Sequence, residues 1–352
     1  MVTPSARARQ WARSLACHHL CLVIVHVRKE HCLTMPAGIC EKLCGLLRKR
    51  SFVAIGSREG WLCIVGDVWQ TARFGQSHHP LGNGKIESLA VSSSHIAVGC
   101  SHNEGRCAWI YILSSSTCAE LNRFNLAVPR SSICRLSLAY KPSGNQLAAA
   151  CGEWLVLMSE IGEVHRRICL AGIGFVTRVT YRPDGAELAI ACKRAQIRFV
   201  SLLMGLRFRS VVIDDATGIV NDAAYRPDGK HLAIACPGSV YIIDAPTGEM
   251  ICKVAMGYGD WFDRIVYRPD GNQLAVASAT GRRPVPEIAT WPMNVVIVGS
   301  QDLAYEPSGE QLAFASSVRG LVDVIKADTL EVTSHIDMRP ASVSTLAFYS
   351  GA

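Results

Sequence analysis

Five stretches of this chain are near copies of one another: YKPSGNQLAAAC from Tyr140, YRPDGAELAIAC from Tyr181, YRPDGKHLAIAC from Tyr225, YRPDGNQLAVAS from Tyr267 and YEPSGEQLAFAS from Tyr305. Their tyrosines lie 41, 44, 42 and 38 residues apart. A chain that repeats one unit at such a period folds as an array, because each unit buries its apolar face only against its neighbours. Weaker copies flank the five. SLAVSSSHIAVGC places Val91 at the tyrosine position, VAIGS (Val53 to Ser57) lies one period earlier, and STLAFYSGA places Phe348 there, 43 residues after Tyr305. The last copy holds only an opening strand, and the first lacks one.

Within a unit, IVNDAAY, LAIAC, SVYIID and EMICKV are short apolar runs separated by Pro-Asp-Gly or Pro-Thr-Gly. Branched side chains suit a pleated surface and lose rotamer freedom in a helix, so each unit carries about four strands. Pro-Asp-Gly is a hairpin turn: Pro presets φ, Asp bonds the local backbone, and Gly takes the left-handed position. Ser143 and Ser308 replace Asp184, Asp228 and Asp270 at this place, which marks the carboxylates as turn residues rather than catalysts. Cys100, Cys151, Cys192 and Cys236 end the second strand where other units carry Ser57, Ser278 or Ser316. A position that accepts either residue wants a small side chain, so these cysteines are packing residues.

Four-stranded units of this length are a β-propeller signature. The pattern of apolar strand, aromatic, x-Pro-Asp-Gly, Leu-Ala-x-Ala, third strand and x-Thr-Gly resembles WD40-repeat blades, over residues 176 to 255 and recognisably from about 51 to 352. The family's Gly-His dipeptide is missing, and its Trp-Asp ending survives only as Ile243-Asp244. A divergent propeller of the YVTN or TolB sort is the alternative. The resemblance implies an all-β, seven-bladed propeller of four-stranded blades, closed by pairing of the C-terminal strand with the first blade, about 51 to 75. Closure removes exposed sheet edges.

Length alone would suggest two domains, but a propeller of this size is one unit, here 48–352. Hydrophobic content of 49%, charged content of 18% and no long apolar run exclude a membrane-spanning helix. Fifteen scattered cysteines, an odd number, point to a reducing compartment and a cytoplasmic protein. Residues 1–47 form an N-terminal extension outside the repeat. It has no acidic residue before Glu30 but carries Arg7, Arg9, Arg13, Arg28 and Lys29, so organelle targeting, disorder and a wrongly assigned start are its readings. Pro36 to Arg50 reads as a short amphipathic helix, and the Cys and His residues from Cys17 to Cys44 lack zinc-finger spacing.

There is no Walker loop, Gly-x-Ser-x-Gly elbow or His-Glu-x-x-His, and neither cofactor, metal nor small-molecule substrate is implied. Function then falls to loops on the rigid scaffold. Those between second and third strands carry Lys193, Arg194, Arg282, Arg283 and Arg319, and the GYGDWFD connection adds Tyr258, Trp261 and Phe262. Aromatics and arginine dominate interface hot spots. With a net charge of +7, the partners implied are proteins, an acidic peptide among them, and the role is a non-catalytic interaction scaffold. A nucleic-acid-binding propeller using the basic rim and a propeller enzyme with a central-channel site are the alternatives.

Overall fold

Each Pro-Asp/Ser-Gly turn closes a hairpin, and each hairpin seeds one sheet of a ring. The computed structural model describes residues 51–60, 62–66, 71–74, 84–102, 107–126, 135–170, 172, 174–202, 207–213, 218–255, 261–278, 294–316, 320–337 and 342–350. They form seven sheets. Blade one holds β1 (Ser51–Ser57), β2 (Leu62–Gly66) and β3 (Thr71–Phe74), with β27 (Val343–Ser350) as its inner strand. Blade two is β4 (Lys85–Val91), β5 (His95–His102), β6 (Cys107–Ser114) and β7 (Glu120–Leu126). Blade three is β8 (Leu136–Tyr140), β9 (Gln146–Cys151), β10 (Trp154–Ser159) and β11 (Val164–Cys169).

Blade four is β12 (Val176–Tyr181), β13 (Glu187–Cys192), β14 (Gln196–Ser201) and β15 (Arg207–Val212). Blade five is β16 (Asp222–Tyr225), β17 (His231–Cys236), β18 (Ser239–Asp244) and β19 (Met250–Ala255). Blade six shows β20 (Phe262–Tyr267), β21 (Gln273–Ser278) and β22 (Asn294–Gly299), and blade seven β23 (Asp302–Tyr305), β24 (Gln311–Ser316), β25 (Leu321–Lys326) and β26 (Val332–Asp337). No helix among the described residues is long and apolar enough to cross a membrane.

The turns behave as their residues demand. Gly185, Gly229 and Gly271 have φ of 70°, 71° and 76°, and the Asp184, Asp228 and Asp270 carboxylates each accept the backbone N–H two residues on at 2.9 Å. Ser308 Oγ accepts the Glu310 N–H in the same way at 3.2 Å.

The Leu-Ala-x-Ala-Cys strand explains how blades stack. Its odd and even residues face opposite sides of the sheet. Leu188, Ile190 and Cys192 enter the core shared with blade three, whereas Ala189 and Ala191 enter the core shared with blade five. Blade five repeats the arrangement, with Leu232, Ile234 and Cys236 turned back and Ala233 and Ala235 turned forward. A bulky face thus meets a small one at each joint, and the apolar cores lie between neighbouring blades rather than within one. Cys100, Cys151, Cys192 and Cys236 are buried there, and burial pushes the Cys100 and Cys192 thiols up to about 12.

Three of the five repeated tyrosines link blades as well as filling these cores. Tyr181, Tyr225 and Tyr305 donate their hydroxyls to Gln146, Glu187 and Gln273, each on the preceding blade, at 2.9, 3.0 and 2.6 Å. Phenylalanine would fill the space but leave that acceptor unmatched.

Blade six departs from the repeat. Its β22 pairs with β21 in parallel, Gln273 opposite Asn294 and Ser278 opposite Gly299, where every other third strand is antiparallel to the second. Three strands of this blade fall among the described residues.

The ring closes where the chain ends meet. Strand β27 pairs antiparallel with β1, Val53 opposite Phe348 and Ile55 opposite Leu346. Deleting residues 343–352 exposes the whole inner edge of β1. The expected outcome is loss of a single cooperative thermal transition and growth of high-mass species on size exclusion; an unchanged monomeric melt would show that closure does not hold the ring.

Candidate functional site

Inner strands all begin on one face of the ring and end at the hairpin face. The loops between second and third strands and the connections between blades return to the first, entry face, as the pairing of Cys192 with both Val176 and Gln196 requires. The third residue before each aromatic marker lies near this face and reads Ser88, Ser137, Arg178, Asp222, Arg264, Asp302 and Thr345 around the ring. Together with their neighbours these residues line a polar cavity of about 210 Å³ at the channel mouth, to which all seven blades contribute.

Side chains in this column cross from blade to blade. The Leu138 N–H donates to Ser88 Oγ and the Val179 N–H to Ser137 Oγ, both at 3.0 Å. Arginine cannot accept, so where blade four carries Arg178, Asp222 takes over: its two oxygens accept the N–H groups of Ala223 and Ile265, each at 2.9 Å. Asp302 likewise accepts from Leu303 and, across the closing joint, from Leu346, both at 2.8 Å. One residue earlier, Thr177 and Asn221 donate to the carbonyls of Val220 and Phe262 on the next blade at 2.7 and 2.9 Å.

The same four positions form an alternating charge row. Arg178 Nε lies 3.2 Å from Asp222, and Arg264 Nε lies 3.6 Å from Asp222 and 2.8 Å from Asp302. Neither Nε–H points along a hydrogen bond, so these contacts are ion pairs without directed bonds. Burial and the nearby Arg264 charge push the Arg178 guanidinium down to about 10 against the pull of Asp222 and Asp302. Burial also lowers Arg264, but Asp302 and Asp222 outweigh it and hold the group above its ordinary value. Burial raises Asp263, Arg135 opposes this, and Asp222 and Asp302 raise it further.

Lys193 and Arg194 sit exposed in the β13–β14 loop on the entry face, where Arg194 Nη1 donates to the Gly172 carbonyl at 3.3 Å. Trp261 is half exposed, at 50%, on the approach to β20 beside the cavity residues Asp263 and Arg264. Phe262 is fully buried in the joint between blades five and six, so the structure removes it from any contact surface. Tyr258, Arg282, Arg283, Arg319 and the extension of residues 1–47 lie outside the described residues. The channel column is absent from the sequence-predicted site. Its signal is visible once the repeats are stacked on their aromatics, because that position alternates Arg and Asp over four units while most of the strand stays apolar.

No protein-family model matches the chain, and no curated protein matches it. Among solved structures it is similar to the β-propeller domain of Cps50 (Swd1) from Myceliophteria thermophila, at 16% identity and a TM-score of 0.57, with 73% of this chain and 87% of that chain covered. The likeness is one of fold, a β-propeller.

Asp222 is 2% exposed and holds two backbone N–H groups and two guanidinium groups. Asp222→Ala should cost about 3–5 kcal/mol in chemical denaturation, since it strands buried charge. Asp263 has the opposite sign. Its folded pKa is raised, so its contribution to stability is present below the ordinary value of 3.8 and lost as pH rises through the folded value. Asp263→Asn should therefore raise the melting temperature at neutral pH, with the gain vanishing in acid; a gain that persists at low pH would show that ionisation is not its cause.

Proposed function

We propose that this chain is a non-catalytic, protein-binding propeller whose partner docks on the entry face around the channel mouth, with acidic segments of the partner meeting its basic loops. The exposed aromatic Trp261 on the same face as the exposed Lys193 and Arg194 carries the reading. On the hairpin face the three repeated arginines are paired, Arg182 with Asp184, Arg226 with Asp228, and Arg268 with Asp270 and Asp328, whereas Lys141 and Lys230 have no ion pair among the described residues. On the entry face Lys193 and Arg194 have no carboxylate partner among the described residues, and Trp261 offers a rigid apolar surface beside the cavity. Exposed aromatic and basic groups on a stiff scaffold are what an interface hot spot needs.

The fold is compatible with this role, since propellers present loops on one face of a rigid ring. A channel enzyme receives less support. Among the described residues the cavity lining contains neither His nor Cys, and its two most buried carboxylates are occupied by backbone N–H groups and arginines. Arg282, Arg283 and Arg319 belong to the same proposed contact set, as do protein partners in a cytoplasmic setting.

The test is cross-linking of the full chain to captured partners, comparing the parent with Trp261→Ala and with Lys193→Glu/Arg194→Glu after circular dichroism shows each folded. Cross-links on the entry face and at least a tenfold weaker capture by Trp261→Ala are expected, as hot-spot truncations cost about 2 kcal/mol or more. Cross-links confined to the hairpin face, or equal capture by all three proteins, would overturn the reading.

A further inference from the structure

We infer that the channel mouth is an oxyanion socket, which seats one carboxylate- or phosphate-sized anion against the terminal guanidinium nitrogens of Arg178 and Arg264. The two arginines carry a surplus of donors. Arg178 approaches Asp222, and Arg264 approaches Asp222 and Asp302, through Nε, and the terminal nitrogens of both arginines make no hydrogen bond to a described residue. Each guanidinium offers a planar fork that matches the two oxygens of a carboxylate or phosphate.

Three of the four carboxylates in the cavity are already engaged. Asp222 and Asp302 spend both oxygens on backbone N–H groups, and Glu87 accepts the Leu136 N–H at 2.9 Å while lying 3.7 Å from Lys85. The charges lining the cavity are Arg58, Lys85, Arg135, Arg178 and Arg264 against Glu87, Asp222, Asp263 and Asp302, an excess of one positive charge. Asp263, facing Arg135, Asp222 and Asp302, is the carboxyl whose ionisation its surroundings oppose. Arg178 shows the matching deficit, a guanidinium lowered by burial and by a second arginine because Asp222 is shared between the two. A ligand with acceptors and no donors relieves both the unmet hydrogen bonds and the unbalanced charge.

The site differs from the proposed partner surface in residues and in test. Lys193, Arg194 and Trp261 take no part in it, and the experiment needs no partner protein. Inorganic phosphate and acetate are titrated into the full-length chain at constant ionic strength, with chloride as the reference, and followed by calorimetry and thermal shift. Saturable binding by the parent is expected, weakened about tenfold or more in Arg178→Met and in Arg178→Lys, and unchanged in Arg166→Ala on exposed β11. Arg178→Lys keeps the charge opposite Asp222 and deletes only the fork, so it decides the matter if Arg178→Met fails to fold. Phosphate no more effective than chloride, or equal binding by Arg178→Lys and the parent, would overturn the socket. A glutamate-containing peptide added to the phosphate-loaded protein identifies the source of the anion: displacement assigns it to an acidic side chain, and no displacement to a free ion.

Discussion

An inner strand of this ring has a sheet partner on one side only; its other edge faces the channel and the next blade, and the backbone N–H groups there must find acceptors away from water. Side chains from the neighbouring blade supply them, Ser88 for Leu138, Ser137 for Val179, Asp222 for Ile265 and Asp302 for Leu346. A buried N–H left without an acceptor costs about as much as a lost hydrogen bond, so this need governs which residues can stand at the channel. Where a blade contributes arginine, which only donates, the following aspartate has to serve two strands, as Asp222 and Asp302 do. Packing then follows the same geometry, with a bulky strand face set against an alanine face at each joint.

Much of this architecture was legible in the sequence because it obeys a period. The turn glycines, the Asp and Ser that cap them, the small residues ending the second strand and the closure of Phe348 against the first blade all recur at fixed offsets, and each recurrence has a local cause. Features that break the period stayed hidden. Nothing local in NVVIVG distinguishes a strand running parallel to its neighbour from one running antiparallel, since direction depends on the path of the chain before it. The channel row was hidden for the opposite reason: Arg178 and Asp222 are ordinary charges singly, and acquire meaning only when seven units are brought to one axis. Trp261 and Phe262 are adjacent and chemically alike, yet one is half exposed and the other buried, because alternation along the entering strand turns them to opposite sides.

The two faces of the ring follow from the same economy of charge. Hairpin residues are close in sequence, so Arg226 and Asp228 meet within one turn and neutralise each other before any tertiary contact forms. On the entry face Lys85 and Glu87 also pair locally, but Arg178, Asp222, Arg264 and Asp302 come from four blades and meet only after the ring is assembled. Cations there are balanced by distant partners or remain available to a ligand, which gives a nearly symmetric scaffold one chemically distinct side.

Near-identical units raise a problem of address, since strands alike in sequence can pair with the wrong neighbour during folding. The charge row supplies a label that the apolar strands lack. Exchange of blades five and six would place Arg178 beside Arg264 and Asp222 beside Asp302, so that like charges would face each other at the centre of the assembly. The alternation along Arg178, Asp222, Arg264 and Asp302 therefore acts as a parity check on blade order, penalising a transposed ring with repulsion where the correct one has four joined charges.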